Sequence, residues 1–454
     1  MAIQTINPTN GKLIKSFQEL NPEQVNEIIE NVHNAYLSWR GSKFSERSKL
    51  MLNAANLLRE NKKKYAETMT TEMGKPVKQA IAEAEKCAWV CEHYAENAES
   101  ILANEVINTD ASESYVQFDP LGIVLAVMPW NFPMWQVFRF AAPALMAGNV
   151  GILKHASNVP QTALLIENIF REAGFPENVF RTLLIGPNLV DEVIRNPKVK
   201  AATLTGSEYA GSKVAELSGK MLKKTVMELG GSDPFIIFAD ADLENAVDTA
   251  VTARLLNNGQ SCIAAKRFIV VDEIAGEFEK KFTERMSSVK TGNPMDESTE
   301  LGPLARKDLL IELHQQVKES VDLGAKILTG GEPLKSEGYF YPATVLTNVQ
   351  KGMPAYEQEM FGPVAAIIKT KNEEEAIKIA NDSEFGLGAS LWTSDIEKAK
   401  RLSHKIESGS VFINGLVKSD PRLPFGGIKK SGYGRELSHY GIREFVNIKT
   451  VWIK

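Results

Sequence analysis

The stretch from residue 121 to residue 133 reads LGIVLAVMPWNFP, and it decides the fold. Residues 121–128 are apolar and uncharged, as expected for a strand of a parallel sheet that is buried on both faces. The uncharged run continues to Phe138, which is long enough for a membrane span. However, Pro120, Pro129 and Pro133 would break a single spanning helix. The stretch therefore predicts a buried strand over 121–128, a sharp loop and a new helix.

Helices precede this strand, and strands alternate with helices after it. Asn21-Pro22-Glu23 is a helix start, and a long helical region over 45–102 should bend near Gly74-Lys75-Pro76. This alternation is typical of βαβ units, and its two separate runs predict two α/β lobes with parallel sheets. The predicted strands are 121–128, 151–154, 181–185, 201–205 and 225–229 in the first run, and 235–238, 268–271, 325–329, 364–368, 389–393 and 410–414 in the second. The segment 446–453 is also strand-like, with no obvious partner.

Composition excludes several classes of protein. The 454 residues are 43% hydrophobic and 24% charged, which argues against a disordered chain. A net charge of −5 argues against a nucleic-acid partner. Three cysteines are too few to stabilise a chain of this size through disulfide bonds, which favours a reducing compartment. No secretory signal is visible, so we expect a cytoplasmic protein without a membrane anchor.

Three residues stand where catalytic groups are often found. Cys262 follows Asn257-Asn258-Gly259, so the thiol should be presented by a loop, where it is either a nucleophile or a small buried side chain. Glu228 ends an apolar strand beside two glycines, so it is either a desolvated general base or a salt-bridged strand end. Asn131 lies between two prolines and is either an oxyanion donor or a turn residue.

Nucleotide binding is not obvious from the glycines, because no G-x-G-x-x-G motif follows a strand. Ser207 opens a helix after a strand, where backbone N–H groups could hold a pyrophosphate. Lys154 ends a strand, where it could meet a ribose or phosphate or be simply solvated. Cys87 and Cys91 lack the second ligand pair of a zinc site, and no metal site is predicted.

Six motifs in order resemble the aldehyde dehydrogenase superfamily and cover the chain from about residue 5 to 450. The length and Ser157 are most similar to the succinate-semialdehyde dehydrogenase branch. The six motifs are residues 129–133 (PWNFP), 154–160, 227–231 (MELGG), 259–267 (GQSCIAAKR), 359–363 (EMFGP) and 424–429 (PFGGIK).

This resemblance implies a fold class and the boundaries of the domains. The expected class is α/β, with two Rossmann-like parallel-sheet lobes and a small β oligomerisation arm. Residues 1–105 and 120–229 would form the dinucleotide-binding domain, and residues 230–423 the catalytic domain. Residues 106–119 and 424–454 would form the arm, giving a homodimer or homotetramer.

The resemblance also implies roles. Cys262 would attack the aldehyde carbon, with Asn131 and the Cys262 N–H forming the oxyanion hole, and Glu228 would activate the water that hydrolyses the thioester. The predicted cofactor contacts are Trp130, Lys154, Ser157, Ser207, Glu359 and Phe361.

The predicted cofactor preference rests on Ser157, and the predicted substrate binding rests mainly on Arg139. Relatives that prefer NAD typically have Glu at the position of Ser157, whereas a serine accepts a 2′-phosphate, so we predict NADP as the preferred cofactor and NAD as the poorer one. Arg139, Ser419 and Phe425 are the predicted substrate contacts, although Leu256 stands where the branch often has a second arginine. Arg139 could instead form a structural salt bridge.

The expected reaction is the oxidation of succinate semialdehyde to succinate. The alternatives are a broad or betaine-type aldehyde dehydrogenase, a CoA-acylating enzyme, and a catalytically silent relative used as a binding protein.

Overall fold

The computed structural model describes residues 3–454, so residues 1 and 2 of the predicted first domain lie outside it. The chain opens with a hairpin and four helices. Helix α1 begins where predicted, because the Asn21 side chain accepts a hydrogen bond from the N–H of Gln24 in a capping box. The predicted bend is present at Gly74, whose φ of 78° ends α3. The elements are β1 (Ile3–Asn7), β2 (Lys12–Phe17), α1 (Pro22–Trp39), α2 (Phe44–Glu60), α3 (Lys62–Met73) and α4 (Val77–Ile101).

The first lobe is built on a sheet whose central strand is the one predicted over 121–128. Five of its strands are parallel, in the order β9-β8-β5-β6-β7, and helices cover both faces. The elements of this segment are β3 (Glu105–Val106), β4 (Glu113–Pro120), β5 (Ile123–Met128), α5 (Trp135–Met146), β6 (Val150–His155), α6 (Pro160–Glu172), β7 (Phe180–Thr182), α7 (Val190–Arg195), β8 (Val199–Thr205), α8 (Glu208–Lys220) and β9 (Lys224–Glu228).

The second lobe is a seven-stranded sheet in the order β12-β13-β14-β11-β10-β16-β17, in which only the edge strand β12 is antiparallel. Two largely parallel sheets confirm the predicted α/β class. The elements are β10 (Asp233–Ile237), α9 (Leu243–Leu255), β11 (Ala265–Val271), α10 (Asp272–Ser287), α11 (Lys307–Asp322), β12 (Lys326–Thr329), β13 (Thr344–Thr347), α12 (Pro354–Glu357), β14 (Val364–Thr370), α13 (Glu373–Asn381), β15 (Phe385–Gly386), β16 (Gly388–Trp392), α14 (Ile396–Ser403) and β17 (Ser410–Ile413).

The C-terminal tail divides between the first lobe and the arm. Its elements are β18 (Ile428–Lys429), β19 (Gly432–Tyr433), α15 (Ser438–Ile442) and β20 (Val446–Ile453). Strand β19 pairs with β9 at the edge of the first sheet, and β20 pairs antiparallel with β4. The expectation that 446–453 lacks a partner within the chain is therefore wrong.

Only part of the predicted arm is extended. Phe425, Leu437, Ile442 and Phe445 are buried in the core of the first lobe, so residues 424–445 pack against that lobe because their apolar side chains find cover there. The three-stranded sheet β20-β4-β3 forms the remaining arm. Among the helices within residues 3–454, none combines the length and apolarity that crossing a bilayer requires.

Candidate active site

A cleft of about 710 Å³ opens at the carboxyl ends of the first sheet. Met128, at the end of β5, pairs with His155 at the end of β6, and Thr205 of β8 pairs with Glu228 of β9. Because parallel strands end at one edge, the loops that follow them meet there, which is where α/β sheets bind ligands. The cleft walls come from both lobes and include Trp130, Asn131, Gln136, Ser207, Cys262, Arg306, Glu359, Phe361 and Phe385.

The loop that carries Cys262 is held in an unusual backbone conformation. Helix α9 ends at Leu255, and Asn257, Asn258 and Gly259 then adopt φ values of 57°, 58° and 73°. Asparagine and glycine tolerate this left-handed region best, which explains their use here. The Asn257 amide donates to the carbonyls of Asn131 (2.7 Å) and Gln260 (2.9 Å), so the Cys262 loop is fastened to the Asn131 loop.

The thiol of Cys262 is free, partly exposed and on the cleft wall. Burial raises the pKa of Cys262 to about 12, while the positive charges of Lys266 and Arg139 lower it. The thiol is therefore mostly protonated near neutral pH, and attack on a carbonyl requires loss of that proton.

Asn131 and the backbone of Cys262 supply two N–H donors on the same wall. The Asn131 side-chain amide, which is 4% exposed, donates one hydrogen bond to the carbonyl of Gln260 at 3.0 Å. Its oxygen accepts from the amide of Gln136 at 3.1 Å, which fixes the orientation of the Asn131 amide. Within residues 3–454 the N–H of Cys262 donates no hydrogen bond. The second Asn131 proton and this N–H can stabilise an oxyanion on the carbon that the sulfur attacks.

Glu228 lies outside the cleft wall. Its side chain is 2% exposed, and neither carboxylate oxygen has a hydrogen-bond partner among the described residues. Burial, and next the neighbouring Glu436, raise the pKa of Glu228 well above its usual value, while Arg139 lowers it. The desolvation predicted from the apolar strand is present. The role of general base stays a prediction, since the carboxyl group must turn toward the cleft to perform it.

The predicted nicotinamide contacts lie together in the cleft. The rings of Trp130 and Phe361 meet edge to face, 5.8 Å between centroids. A Glu359 carboxylate oxygen accepts from the N–H of Gly231 at 3.0 Å and lies 3.3 Å from the Lys266 ammonium. Ser207 caps α8 by accepting from the N–H of Ala210, so the first turn of this helix faces the cleft with free N–H groups. These groups fit a dinucleotide.

Lys154 and Ser157 lie at the end of β6 and are not among the residues that line the cleft. Both are half-buried, and burial lowers the pKa of Lys154. Lys154 forms no ion pair with any residue of the range 3–454. A half-buried cation without a carboxylate partner in this range, three residues before a serine, fits an anionic group such as a phosphate.

Of the three predicted substrate contacts, Arg139 is part of α5, and Phe425 packs against Arg139. Arg139 is buried, ion-paired with Glu436, and 4.5 Å above the ring of Phe425. Its Nη2 donates to the Thr205 hydroxyl at 3.3 Å. Ser419 is 6% exposed and accepts a hydrogen bond from Lys86 at 2.7 Å. None of the three is among the residues lining the cleft, and the salt bridge considered for Arg139 is present, so their role in substrate binding stays a prediction.

Sequence reasoning missed four polar residues around this site. Lys266 is fully buried and donates to the carbonyls of Ser261 and Cys262. The others are Gln136, Lys86 and His155, and burial lowers the pKa of His155 to about 4, so its neutral ring bridges Pro133 and Ala156. Lys266 and His155 had a signal in the sequence, because they lie inside the 259–267 and 154–160 motifs.

Comparisons with known proteins agree with this geometry. The model of the aldehyde dehydrogenase family matches residues 1–451. A protein of Synechocystis sp., named probable succinate-semialdehyde dehydrogenase (NADP+), is 53% identical over 453 residues, covering 100% of both chains. A Mycobacterium bovis protein named succinate-semialdehyde dehydrogenase (NADP+) 1 is 50% identical, with 100% coverage of both. The crystal structure of succinic semialdehyde dehydrogenase from Streptococcus pyogenes with NADP+ superposes with a TM-score of 0.98, at 41% identity and 100% coverage of both chains. The chain belongs to the aldehyde dehydrogenase family.

Proposed function

We propose that this aldehyde dehydrogenase oxidises succinate semialdehyde to succinate with NADP as its preferred cofactor. The observation that carries the proposal is the position of the Cys262 thiol. It lies on the wall of the cleft that Asn131 and the aromatic pair Trp130 and Phe361 also line. The names of the relatives from Synechocystis sp. and Mycobacterium bovis support the substrate and the cofactor.

Cys262 begins the reaction as a nucleophile. Its thiol gives its proton to water, the sulfur bonds to the aldehyde carbon, and the carbonyl π electrons move to oxygen. The Asn131 amide and the Cys262 N–H stabilise this oxyanion. When bound, NADP+ supplies the acceptor for the hydride that leaves the same carbon. The oxyanion electrons re-form the carbonyl, and a thioester remains on Cys262.

Glu228 completes the cycle in this proposal. Its carboxylate takes a proton from water, the water oxygen bonds to the thioester carbon, and the carbon–sulfur bond breaks to release the Cys262 thiolate and the carboxylic acid, which gives its proton to the solvent. Burial raises the pKa of Glu228, and its carboxyl group must be ionised before it accepts a proton from water. A CoA-acylating enzyme would release the acyl group to a thiol and would need no such base.

Ser157 and Lys154 support NADP over NAD. The Ser157 hydroxyl and the unpaired Lys154 ammonium would bind the 2′-phosphate, whereas a carboxylate at position 157 would repel it. NAD lacks this phosphate and would bind more weakly.

A semialdehyde carboxylate fits the cations Arg139 and Lys86 around α5 better than a quaternary ammonium would. Betaine aldehyde, the alternative substrate, would be repelled by these charges and would favour aromatic or acidic walls.

The proposal includes a homo-oligomer that works in the cytoplasm. The arm sheet exposes Val106, Ile448, Trp452 and Ile453, with relative exposures of 75%, 61%, 49% and 44%. Exposed apolar side chains on an edge of a β-sheet are typical of a surface that a second copy covers. All three cysteines are free, as in a reducing compartment.

A panel of aldehydes, each with NADP and with NAD, tests the proposal by absorbance of the reduced cofactor. We expect the highest kcat/KM for succinate semialdehyde with NADP, and free succinate as product. A higher kcat/KM for butanal or betaine aldehyde, or for NAD, would contradict it, and acyl-CoA formation would point to the acylating alternative.

A further inference from the structure

Lys86, on the inner side of α4, is a half-buried cation without a carboxylate partner. Its ammonium donates one hydrogen bond, to the Ser419 hydroxyl at 2.7 Å, and lies 4.4 Å from the centre of the Trp135 ring. No carboxylate within residues 3–454 lies in salt-bridge range of it. Two of its three N–H groups are therefore free, and a lysine that is partly removed from water without an anion is costly unless a ligand supplies one.

Other donors surround the same position. Arg139 is close enough to Lys86 for its charge to lower the pKa of that lysine, and the Nη1 of Arg139 forms no hydrogen bond with the described residues. Ser419 accepts from Lys86 and keeps its own O–H to donate. Two cations and a hydroxyl thus converge, and each retains an unused donor.

This cluster adjoins the wall of the active-site cleft. Trp135, which packs under Lys86, is followed directly by Gln136, which lines the cleft and donates to Asn131. Arg139, one helical turn further along α5, is close enough to Cys262 to lower the pKa of its thiol. The cluster itself is not among the residues that line the cleft, and it lies next to this part of the wall.

We propose that Lys86 is a specificity-determining residue that binds the carboxylate of the aldehyde substrate, together with Arg139 and Ser419. The proposal rests on the function proposed above and adds a residue to it. Two other basic residues lie in the loop of Ser419: Arg422 is already paired with Asp420, and Lys418 is exposed to solvent. Lys86 is therefore the half-buried cation that is left for the substrate.

Titration of Lys86 supports the proposal. Burial, followed by the charge of Arg139, lowers the pKa of Lys86 to about 8, against the opposing effects of Cys87, Glu83 and Asp420. Carboxylate binding should weaken as pH rises through this value, because the ammonium loses its charge. A neutral aldehyde should not share this dependence.

The test compares succinate semialdehyde with butanal, which has the same number of carbons and no carboxylate, on the full-length protein with NADP. In Lys86→Gln we expect KM for succinate semialdehyde to rise about 10- to 100-fold, as for the loss of a hydrogen bond to a charged group. The ratio of kcat/KM for succinate semialdehyde to that for butanal should fall by a similar factor. Lys78→Met, at an exposed position of the same helix, should leave this ratio unchanged.

A pH series separates binding from a structural role. In the wild type the same ratio should fall as pH rises from 7 to 9.5, whereas in Lys86→Arg, which stays protonated, it should remain nearly constant. An unchanged ratio in Lys86→Gln, in a folded protein that still binds NADP, would overturn the role of Lys86. A wild type without preference for succinate semialdehyde would instead overturn the proposed function.

Discussion

The buried ammonium of Lys266 donates a hydrogen bond to the backbone carbonyl of Cys262 at 2.8 Å. A second bond of the same length goes to the carbonyl of Ser261, so one lysine holds the loop on which the sulfur is mounted. Its charge is also the largest effect that lowers the pKa of the Cys262 thiol against burial. Lys266 therefore positions the Cys262 loop and stabilises the thiolate form of Cys262.

Replacing Lys266 with methionine should raise the pKa of Cys262 and slow its alkylation. We expect the rate with iodoacetamide at pH 8, without cofactor, to fall about tenfold, since one pKa unit corresponds to about 1.4 kcal/mol. Lys280→Met, at an exposed position on α10, is the matched control. An unchanged alkylation rate in Lys266→Met would show that the ammonium does not act on the sulfur.

The pH dependence of Cys262 alkylation follows from burial of the thiol. Because burial raises the pKa to about 12, the thiolate fraction in the free protein should grow about tenfold per pH unit between pH 7 and 10. Cys87 and Cys91 are fully buried, and burial raises the pKa of each, so they should contribute little. Alkylation of wild type and Cys262→Ala, followed by mass spectrometry, measures this. A plateau below pH 9 would contradict the prediction.

Replacing Glu228 with glutamine should block hydrolysis while leaving acylation possible. We expect a burst of NADPH of about one per active Cys262, followed by a steady rate reduced about 10²- to 10⁴-fold, as for loss of a general base. Stopped-flow absorbance at the NADPH band measures both phases. Glu177→Gln, at an exposed position, should behave as the wild type, and full steady turnover in Glu228→Gln would exclude the base role.

A glutamate in place of Ser157 should reverse the cofactor preference. The new carboxylate would repel the 2′-phosphate and pair with Lys154, so kcat/KM for NADP should fall about 100-fold relative to that for NAD. Ser212→Glu adds the same charge at an exposed site on α8 and should leave the ratio unchanged. The Ser157 hypothesis fails if Ser157→Glu keeps the wild-type preference.

Much of the fold could be predicted because its strands are short, apolar and separated by helices. The strand over 121–128 and the bend at Gly74 are signals of this kind, since each depends only on local chain chemistry. Strand β13, of four residues, was not predicted. The pairing of β20 with β4 joins residues more than 300 positions apart, and no local pattern reports such a contact.

The residues of the site also fall into those that the sequence indicates and those that it does not. Cys262, Asn131 and Glu359 could be identified because they lie in recognisable motifs, and the structure brings them to one cleft. Lys86 could not, because one lysine on a long helix has the same local pattern whether it faces water or a buried arginine. Its importance depends on Ser419, which is 333 residues away.

The sequence by itself determined the α/β class, the loop position of Cys262 and the absence of an acidic residue at position 157, since these depend on residue type, periodicity and spacing. Folding decides that Arg139 is paired with Glu436, that Glu228 is not among the residues lining the cleft, and that Lys86 has no carboxylate partner within residues 3–454. The burial and the charge pairing of a side chain depend on its neighbours in space, and folding brings those neighbours together from distant parts of the chain.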